Sequence, residues 1–252
     1  MKNISNQYVQ SYTYNVLSGN VDREYINKRL TYIRPNLKNV KKILELGCGD
    51  GLLAVEVKKE SGCEVYGLDI SRSGIALAKE RGIHAQLADL NEDLPYKDAT
   101  FDIIFSDQLL EHIFRTDHLL DEMYRVLKPN GVVITVTPNL SFWLNRILFL
   151  FGFYPMFLEV SENTKIYGLK SLKRFIIDKN SMGHIRVFNL EALKDIFQNH
   201  GFRLKMIHGD SLSWNLPSPF KQFYDLLDRF FSLFPSLSRD LIIEVNKPKR
   251  GR

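Results

Sequence analysis

The sequence predicts an α/β protein built on a doubly wound, mostly parallel sheet with a helical and aromatic insertion. Short apolar strands alternate with helical segments across residues 43–137, and several strands end at a glycine or an acidic residue. Apolar strands separated by helices require a parallel sheet that is covered on both faces. The 252 residues, 44% hydrophobic and 25% charged, allow one large domain with insertions or two small ones. This composition excludes disordered, collagen-like and coiled-coil chains.

The strands and helices follow from their apolar patterns and from the turn residues between them. Ser71 is a suitable N-cap for the second helix, the Lys-Pro-Asn-Gly turn at 128–131 ends the third, and Pro138 stops the fifth strand. The predicted order is strand 43–46, helix 52–60, strand 64–69, helix 72–81, strand 85–88, strand 101–106, helix 109–127 and strand 131–137.

The alternation breaks after Pro138 and resumes later. Residues 139–187 form an insertion with a strongly apolar patch at 142–157 and then a basic stretch. We expect the insertions to face the substrate, because function concentrates in loops set on a rigid scaffold. The pattern resumes with a helix at 189–200, capped by Asn189, and strands at 202–208 and 241–246. The predicted division is an N-terminal helical cap 1–42, a ligand-binding core 43–138, the insertion 139–187, the rest of the sheet 188–246 with a second insertion 209–240, and a basic tail 247–252.

The formal net charge of +5 is distributed unevenly along the chain. Residues 43–140 contain 17 acidic and 9 basic side chains, residues 1–42 contain 2 and 8, and residues 141–252 contain 10 and 17. An acidic centre is a poor surface for a phosphate backbone and suits a cationic ligand, so we predict no nucleic-acid partner. The basic flanks indicate where an anionic acceptor or a membrane surface docks.

The segment Glu-Leu-Gly-Cys-Gly-Asp-Gly at 45–51 follows the first strand and carries the strongest signal. Its glycines let the backbone pass close to a ligand at the edge where open α/β sheets bind cofactors. The spacing is G-x-G-x-G. The dinucleotide fingerprint is G-x-G-x-x-G, and Leu52 stands where its third glycine would be. Glu45 and Asp50 would repel a pyrophosphate. Asp69 and Asp89, which end the next two strands, can accept hydrogen bonds from ribose hydroxyls and an adenine amino group.

Four motifs in order, ILELGCGDG, VYGLDIS, LADLNEDLPYKDATFDIIFSDQLLEHI and LKPNGVVITVTPN, resemble those of class I S-adenosylmethionine-dependent methyltransferases over residues 43–140. The resemblance implies a Rossmann-like, seven-stranded sheet with an antiparallel final strand, and S-adenosyl-L-methionine as the cofactor. It also implies that glycines hold the methionine portion, that Asp69 holds the ribose and that residues 88–90 flank the adenine. It places Asp107 near the sulfonium and Glu111 on the helix that follows. The implied cofactor residues are Glu45, Gly47, Cys48, Gly49, Gly51, Asp69, Ile70, Ala88, Asp89, Leu90, Ser106 and Gln108.

Candidate acceptor residues lie outside these motifs or at their ends. His112 and His184 are the predicted general bases for a hydroxyl acceptor, although a histidine on a helix is more often structural. Arg186, Trp143 and Tyr14 are predicted to bind the substrate, and Tyr12 to close over the cofactor with Tyr14. Cys48 is interpreted as a small filler, because nothing nearby would lower its pKa. No metal site is predicted.

The predicted function is methyl transfer to a small or lipid-linked acceptor, with a sugar hydroxyl of a surface glycan favoured and a quinone ring as the alternative. Two other classes stay open, an NAD-dependent oxidoreductase and a non-catalytic membrane adaptor. The apolar stretch 147–157 has eleven residues, too few for the ~20 that span a bilayer. It packs as a lid or contacts the membrane through 142–157. Two cysteines and a polar start indicate the cytoplasm, with contact at the inner face of the membrane, and no oligomeric state is indicated.

Overall fold

A seven-stranded sheet organises the chain. The computed structural model describes residues 23–173, 180–211 and 220–249. The strands are β1 (Lys42–Leu46), β2 (Glu64–Asp69), β3 (His84–Leu87), β4 (Phe101–Asp107), β5 (Leu127–Pro138), β6 (Arg203–Asp210) and β7 (Asp240–Asn246). Their spatial order is β3-β2-β1-β4-β5-β7-β6. β7 pairs antiparallel with both of its neighbours, and all other pairs are parallel. The predicted mostly parallel sheet with an antiparallel final strand is confirmed.

Helices connect the parallel strands. They are α1 (Arg23–Ile33), α2 (Leu52–Ser61), α3 (Arg72–Glu80), α4 (Thr116–Val126), α5 (Trp143–Leu150), α6 (Leu190–Asn199) and α7 (Phe220–Ser232). Ser71 caps α3 by accepting a hydrogen bond from Gly74 N at 3.1 Å, and Asn189 caps α6 by accepting one from Ala192 N at 2.9 Å. Both predicted caps are confirmed.

Each face of the sheet carries its own apolar core. Along β1 the side chains alternate, so that Ile43 packs with α1, α2 and α3 while Leu44 and Leu46 pack with α4 and α6. Leu30 of α1 and Phe197 of α6 are almost fully buried on opposite faces. Both faces of the sheet are therefore covered, as an α/β sheet requires, and the loops at the carboxyl ends of the strands stay available for a site.

The structure corrects two predicted boundaries. The helix predicted over 109–127 begins only at Thr116, because Leu110–His112 forms a short 3₁₀ turn first. The Lys-Pro-Asn-Gly stretch, predicted to be a turn, lies inside β5. Leu127 pairs with Phe101, and Asn130 N donates to Lys247 O at 2.7 Å, so pairing on both sides extends this stretch.

The first residue of the predicted basic tail is fixed to the sheet. Lys247 Nζ donates hydrogen bonds to Tyr124 O at 2.6 Å and to Leu127 O at 2.9 Å. Its ammonium also lies over the Tyr124 ring, 4.5 Å from the centroid. The last three residues, 250–252, lie outside the described residues, and so does most of the predicted cap, 1–22.

Candidate functional site

The candidate site lies at the carboxyl ends of the central strands. The strand order reverses between β1 and β4, since the chain adds β2 and β3 on one side of β1 and then returns to add β4 on the other. Open α/β sheets bind ligands in the crevice at such a point. The turn after β1 holds Gly47, Gly49 and Gly51 at φ values of 72°, 53° and 75°. A Cβ atom on Gly47 would lie 3.1 Å from Leu109 Cδ1, so the turn is both left-handed and tightly packed. The sequence needs glycine here for the backbone to approach a ligand.

Asp69 joins the glycine turn to the end of β2. Its Oδ2 accepts a hydrogen bond from Gly49 N at 2.8 Å, and its Oδ1 accepts one from Ser71 N at 2.7 Å. Burial raises the pKa of Asp69, and these backbone hydrogen bonds oppose the rise. The carboxylate has four lone pairs, and the backbone hydrogen bonds of Gly49, Ser71 and Ile70 do not use all of them, so it can still accept from a hydroxyl. This geometry suits the ribose role that the resemblance implies.

Two buried polar atoms in the crevice fit a charged ligand. Glu45 Oε2 accepts no hydrogen bond from any residue that the structure describes. Its pKa is raised well above the usual range, chiefly by burial and then by the charges of Asp107, Asp69 and Asp50. Gln108 has a left-handed backbone, at φ 51°, and its buried Nε2 also meets no partner among the described residues. A ligand with a cationic group and a hydrogen-bond acceptor would satisfy both atoms.

Two of the crevice acids already have basic partners. Asp50 pairs with Arg81 at 2.8 Å, so its charge is already balanced within the chain and contributes less to repelling a pyrophosphate than the sequence predicts. Asp107, which the resemblance places near the sulfonium, accepts hydrogen bonds from Arg29 Nε at 3.1 and 3.0 Å and from the Tyr25 hydroxyl. Neither partner was found from the sequence, because both contacts join distant segments.

Arg29 binds α1 to this edge of the sheet. It is 2% exposed, and besides Asp107 it contacts Asp210 at the end of β6 and Asp240 at the start of β7, the latter at 3.5 Å. The Tyr25 ring lies against the guanidinium at 4.5 Å. Aspartates at the termini of three strands, Asp107, Asp210 and Asp240, are the sequence signal for such a buried arginine.

The remaining implied cofactor residues lie in two environments. Ala88 N donates to Asp69 O at 2.9 Å, which holds the loop after β3 beside the end of β2. Asp89 is exposed in that loop, where its Oδ1 accepts from Asn91 N at 2.9 Å. Ile70 keeps 36% of its surface exposed, whereas Leu90 is buried in the core. An aromatic ligand can therefore contact Ile70 and Ala88, while Leu90 supports the loop from below.

The side chains of Cys48 and Ser106 are buried and pack inside the protein. The Cys48 thiol is buried, and burial raises its pKa, so it is an unreactive filler as interpreted. A Cβ atom on Gly67 would lie only 2.6 Å from its sulfur. The Ser106 side chain has no exposed surface and its hydroxyl lies 3.1 Å from the Thr135 hydroxyl. The resemblance implies that Ser106 is a cofactor residue, and its buried hydroxyl leaves the backbone as the part that could contact the cofactor.

The acceptor candidates His112 and His184 lie together, with Glu111, beside the crevice. The two imidazole centroids are 4.9 Å apart, and His112 Nε2 lies 3.9 Å from Glu111 Oε1. Glu111 Oε2 accepts a hydrogen bond from the Thr137 hydroxyl at 2.9 Å. Ile185 N donates to Glu111 O at 2.7 Å, which fastens the loop of His184 to the turn after β4. Residues more than 70 positions apart thus form one cluster at the carboxyl ends of β4 and β5.

Burial controls the charge of this cluster. It lowers the pKa of His112 to about 3, with the neighbouring His184 adding to the effect, and it also lowers the pKa of His184. Burial raises the pKa of Glu111 to about 8. At neutral pH both imidazoles are therefore neutral rings that offer lone pairs.

The other predicted substrate residues are not all in this cluster. Arg186 lies next to it, where its guanidinium donates to Ile113 O at 2.8 Å. Trp143 is buried instead between α5 and α7 and donates to Asp228 at 3.1 Å, which does not suit direct substrate contact. Tyr12 and Tyr14 lie outside the described residues. No helix within the described ranges combines the length and the apolar character needed to cross a bilayer.

Comparison with known proteins decides the family. The methyltransferase domain family matches residues 19–205, about three quarters of the chain. The chain belongs to this family. S-adenosyl-L-methionine is the cofactor of these class I methyltransferases, and the crevice fits it. Its sulfonium and ammonium charges suit Glu45, its ribose suits Asp69, and its carboxylate can accept from Gln108.

The curated relatives match this chain over only part of their length. A probable S-adenosylmethionine-dependent methyltransferase of Mycolicibacterium smegmatis is 31% identical over 126 residues, 49% of each chain. A ubiquinone biosynthesis O-methyltransferase of Pelagibacter ubique is 36% identical over 112 residues, 41% of this chain and 44% of the relative. The chain thus spans about half the length of the curated relatives it matches. A solved methyltransferase from Thermotoga maritima has a TM-score of 0.62 at 19% identity over 98% of this chain and 100% of that one, which shows the shared fold.

Proposed function

We propose that the chain transfers a methyl group from S-adenosyl-L-methionine to a hydroxyl of an apolar small molecule or a lipid-linked acceptor. One juxtaposition supports this most strongly. The glycine turn with Asp69 lies at the ends of β1 and β2, and the buried cluster of Glu111, His112 and His184 lies at the ends of the adjacent β4 and β5. A cofactor in the first part and a hydroxyl in the second would meet at one edge of the sheet.

The cofactor-binding residues act by positioning. Asp69 would hold the ribose, the glycine turn would admit the methionine portion, and Glu45 would balance its positive charge. When bound, the cofactor supplies an activated methyl group, so the protein has mainly to align the acceptor and exclude water. Alignment in the best intramolecular cases contributes ~7–11 kcal/mol to lowering the barrier.

The cluster would receive the acceptor hydroxyl. Glu111 Oε1 and His184 Nε2 are buried and meet no hydrogen-bond partner in the described part of the chain, so both can accept from an O–H group. We retain the predicted role of His112 and His184 in removing the hydroxyl proton. Loss of such a group slows a reaction by about 10²–10⁴-fold.

A phenol of the quinone type is the acceptor class that we favour. Ubiquinone biosynthesis O-methyltransferases are among the relatives, and such rings are apolar apart from their hydroxyls. The sugar hydroxyl predicted from the sequence has no counterpart among the relatives reported above. It serves as the second arm of the test.

Transfer of a radiolabelled methyl group tests this proposal. The assay would compare a lipophilic catechol with a lipid-linked sugar, using wild type, Asp69→Ala and the control Asp93→Ala, whose side chain is 86% exposed. We expect label in the catechol extract with wild type and Asp93→Ala and none with Asp69→Ala. Label in the sugar alone would overturn the acceptor class, and no label in either acceptor would contradict hydroxyl methylation.

We further propose that α5 and α7 contact an anionic membrane surface, which brings the site to a lipophilic acceptor. The two helices pack together through Trp143, whose ring lies 5.2 Å from Phe231 and 5.8 Å from Tyr224. Both also expose large apolar side chains, including Leu150 at 80% exposed and Phe223 at 65%. The other members of this exposed set are Ile147, Phe149, Phe151, Leu226, Phe230, Leu233 and Phe234.

The charge of the surrounding chain favours an anionic bilayer as the occupant. Residues 141–252 contain 17 basic and 10 acidic side chains, and basic residues near a bilayer add about 1 kcal/mol each. Co-sedimentation with phosphatidylglycerol vesicles and with neutral phosphatidylcholine vesicles tests the contact. We expect binding to the anionic vesicles that Phe223→Ser and Leu226→Ser both weaken. The membrane contact would be refuted if the same amount of protein sedimented without vesicles. It would also be refuted if the protein formed a concentration-dependent dimer that the same substitutions dissociate.

A further inference from the structure

We propose that Glu111, His112 and His184 bind a divalent first-row transition-metal ion, with Zn²⁺ as the test ion. The sequence indicates no metal site, because His184 is 72 positions from His112 and no short spacing relates them. In the folded chain one ligand atom from each residue lies within 4.8 Å of the other two. Two imidazoles and a carboxylate are a ligand set of catalytic zinc and of non-haem iron sites.

Hydrogen bonds orient both rings for metal binding. His112 Nδ1 lies 3.0 Å from Gly183 O, and His184 Nδ1 lies 2.8 Å from Phe157 O. A carbonyl oxygen only accepts, so each Nδ1 carries the ring proton and each Nε2 carries the lone pair. Metal-binding histidines typically donate their second ring N–H to a backbone carbonyl in this way, which fixes the tautomer and the ring direction.

The buried acceptor atoms lack a donor. Glu111 has no exposed surface and His184 is 8% exposed, yet Glu111 Oε1 and His184 Nε2 have no hydrogen-bond partner within the ranges described. Leaving a buried polar atom unsatisfied is unfavourable. A cation between these atoms would satisfy them together.

The framework around the three residues is constrained. Ile185 N and Arg186 N both donate to Glu111 O, at 2.7 and 3.1 Å, and Thr137 orients the carboxylate from β5. Ligands about 2.1 Å from a tetrahedral ion lie roughly 3.4 Å apart. The observed separations, 3.9 Å between Glu111 Oε1 and His112 Nε2 and at most 4.8 Å overall, must close by about 0.5 to 1.4 Å. Side-chain rotations supply such a change without moving the backbone.

Three protein ligands leave one position open on a four-coordinate ion. In a role that rests on the proposed function, the acceptor hydroxyl would occupy that position. Coordination lowers the pKa of a bound hydroxyl, so its proton would be lost more readily than in solution. The two imidazoles would then act as ligands in place of the general-base role given to them above, and the proton would pass to solvent water.

Metal binding is tested on the full chain after removal of any affinity tag and treatment with a chelator. Zn²⁺ would be titrated in competition with a chromophoric chelator, and Co²⁺ would report the coordination through its visible absorption. The variants are Glu111→Gln and His184→Gln, with His200→Gln as the matched control, since His200 pairs with Asp117 and Asp121 on the surface. Circular dichroism of each chelator-treated variant checks that it is folded.

We expect wild type and His200→Gln to bind one equivalent, and each site variant to bind at least about 100-fold more weakly. Uptake well below one equivalent by wild type, without Co²⁺ absorption, would overturn the proposal. So would equal losses in the site variants and the control. Methyl transfer measured on the same samples separates the two proposals. Stoichiometric binding without transfer refutes only the acceptor, and transfer by a protein that binds no metal refutes only the metal site.

Discussion

Arg29→Met removes the cation that contacts Asp107, Asp210 and Asp240 together, and leaves Lys28 paired with Asp210 alone among the three. Met preserves most of the side-chain volume, so the substitution chiefly removes charge and hydrogen bonds. The wild-type guanidinium is 2% exposed and contacts all three carboxylates, while Tyr25 covers its face. Removing one partner of a buried ion pair costs about 3–5 kcal/mol, because the other charge stays buried and unpaired. We expect a loss in that range.

Arg34→Met is the matched control for this substitution. Arg34 follows the same helix and pairs with Glu60 at 2.6 Å, but its side chain is 45% exposed. An exposed pair contributes about 0–1 kcal/mol. For a chain of this size 1 kcal/mol changes Tm by about 2–4 °C, so Arg29→Met should lower Tm by about 6–20 °C and Arg34→Met by no more than about 4 °C.

Urea unfolding at several pH values tests both the magnitude and its cause. Burial raises the pKa of Asp107, and Arg29 opposes that rise, so in Arg29→Met this carboxyl binds its proton more tightly. The folded variant then takes up protons as pH falls, and its deficit relative to wild type should shrink between pH 7 and pH 4. Equal destabilisation by the two methionine variants, or a deficit independent of pH, would refute the reasoning.

Three further predictions concern the crevice and the helix pair. In Gly74→Ala the new Cβ would lie 2.8 Å from Gly49 O, so calorimetry should show S-adenosylmethionine binding weakened about tenfold or more, and an unchanged Kd would contradict the packing argument. Ser71→Ala removes the cap of α3 and should lower the free energy of unfolding by about 1 kcal/mol in urea. Burial raises the pKa of Asp228 to about 6 despite its hydrogen bond from Trp143, so wild type loses stability as pH rises from about 4 through 6. The free energy of unfolding of Asp228→Asn should therefore rise relative to that of wild type over that interval, by up to about 3 kcal/mol at pH 7. A difference between the two proteins that stays constant with pH would contradict this.

The sequence predicted best what local residues determine. The bounds of β2 and the caps at Ser71 and Asn189 follow from side chains within a few positions, and the structure agrees with them. Lys-Pro-Asn-Gly was misinterpreted as a turn because its extended form depends on pairing with Phe101 and Lys247, which are distant in sequence.

The site was predicted in the same uneven way. The glycine turn and Asp69 are contiguous motifs, so their proximity at one edge of the sheet could be inferred. The pairing of Asp50 with Arg81 and the burial of Ser106 against Thr135 depend on tertiary packing. The sequence named Glu111, His112 and His184 separately, but only the fold shows that they share one buried cluster.

Calorimetric titration of the chain with S-adenosyl-L-methionine, and separately with NADH, tests the central claim most directly. Glu45 Oε2 accepts no hydrogen bond within the described part of the chain, and Asp69 can still accept from a ribose hydroxyl. S-adenosyl-L-methionine, which is cationic at sulfur, should therefore bind at one equivalent, and NADH, which carries a pyrophosphate, should not. Asp69→Ala should abolish the heat of binding, while Asp93→Ala should leave it unchanged. Saturable binding of NADH, or no binding of S-adenosyl-L-methionine by wild type, would contradict the account.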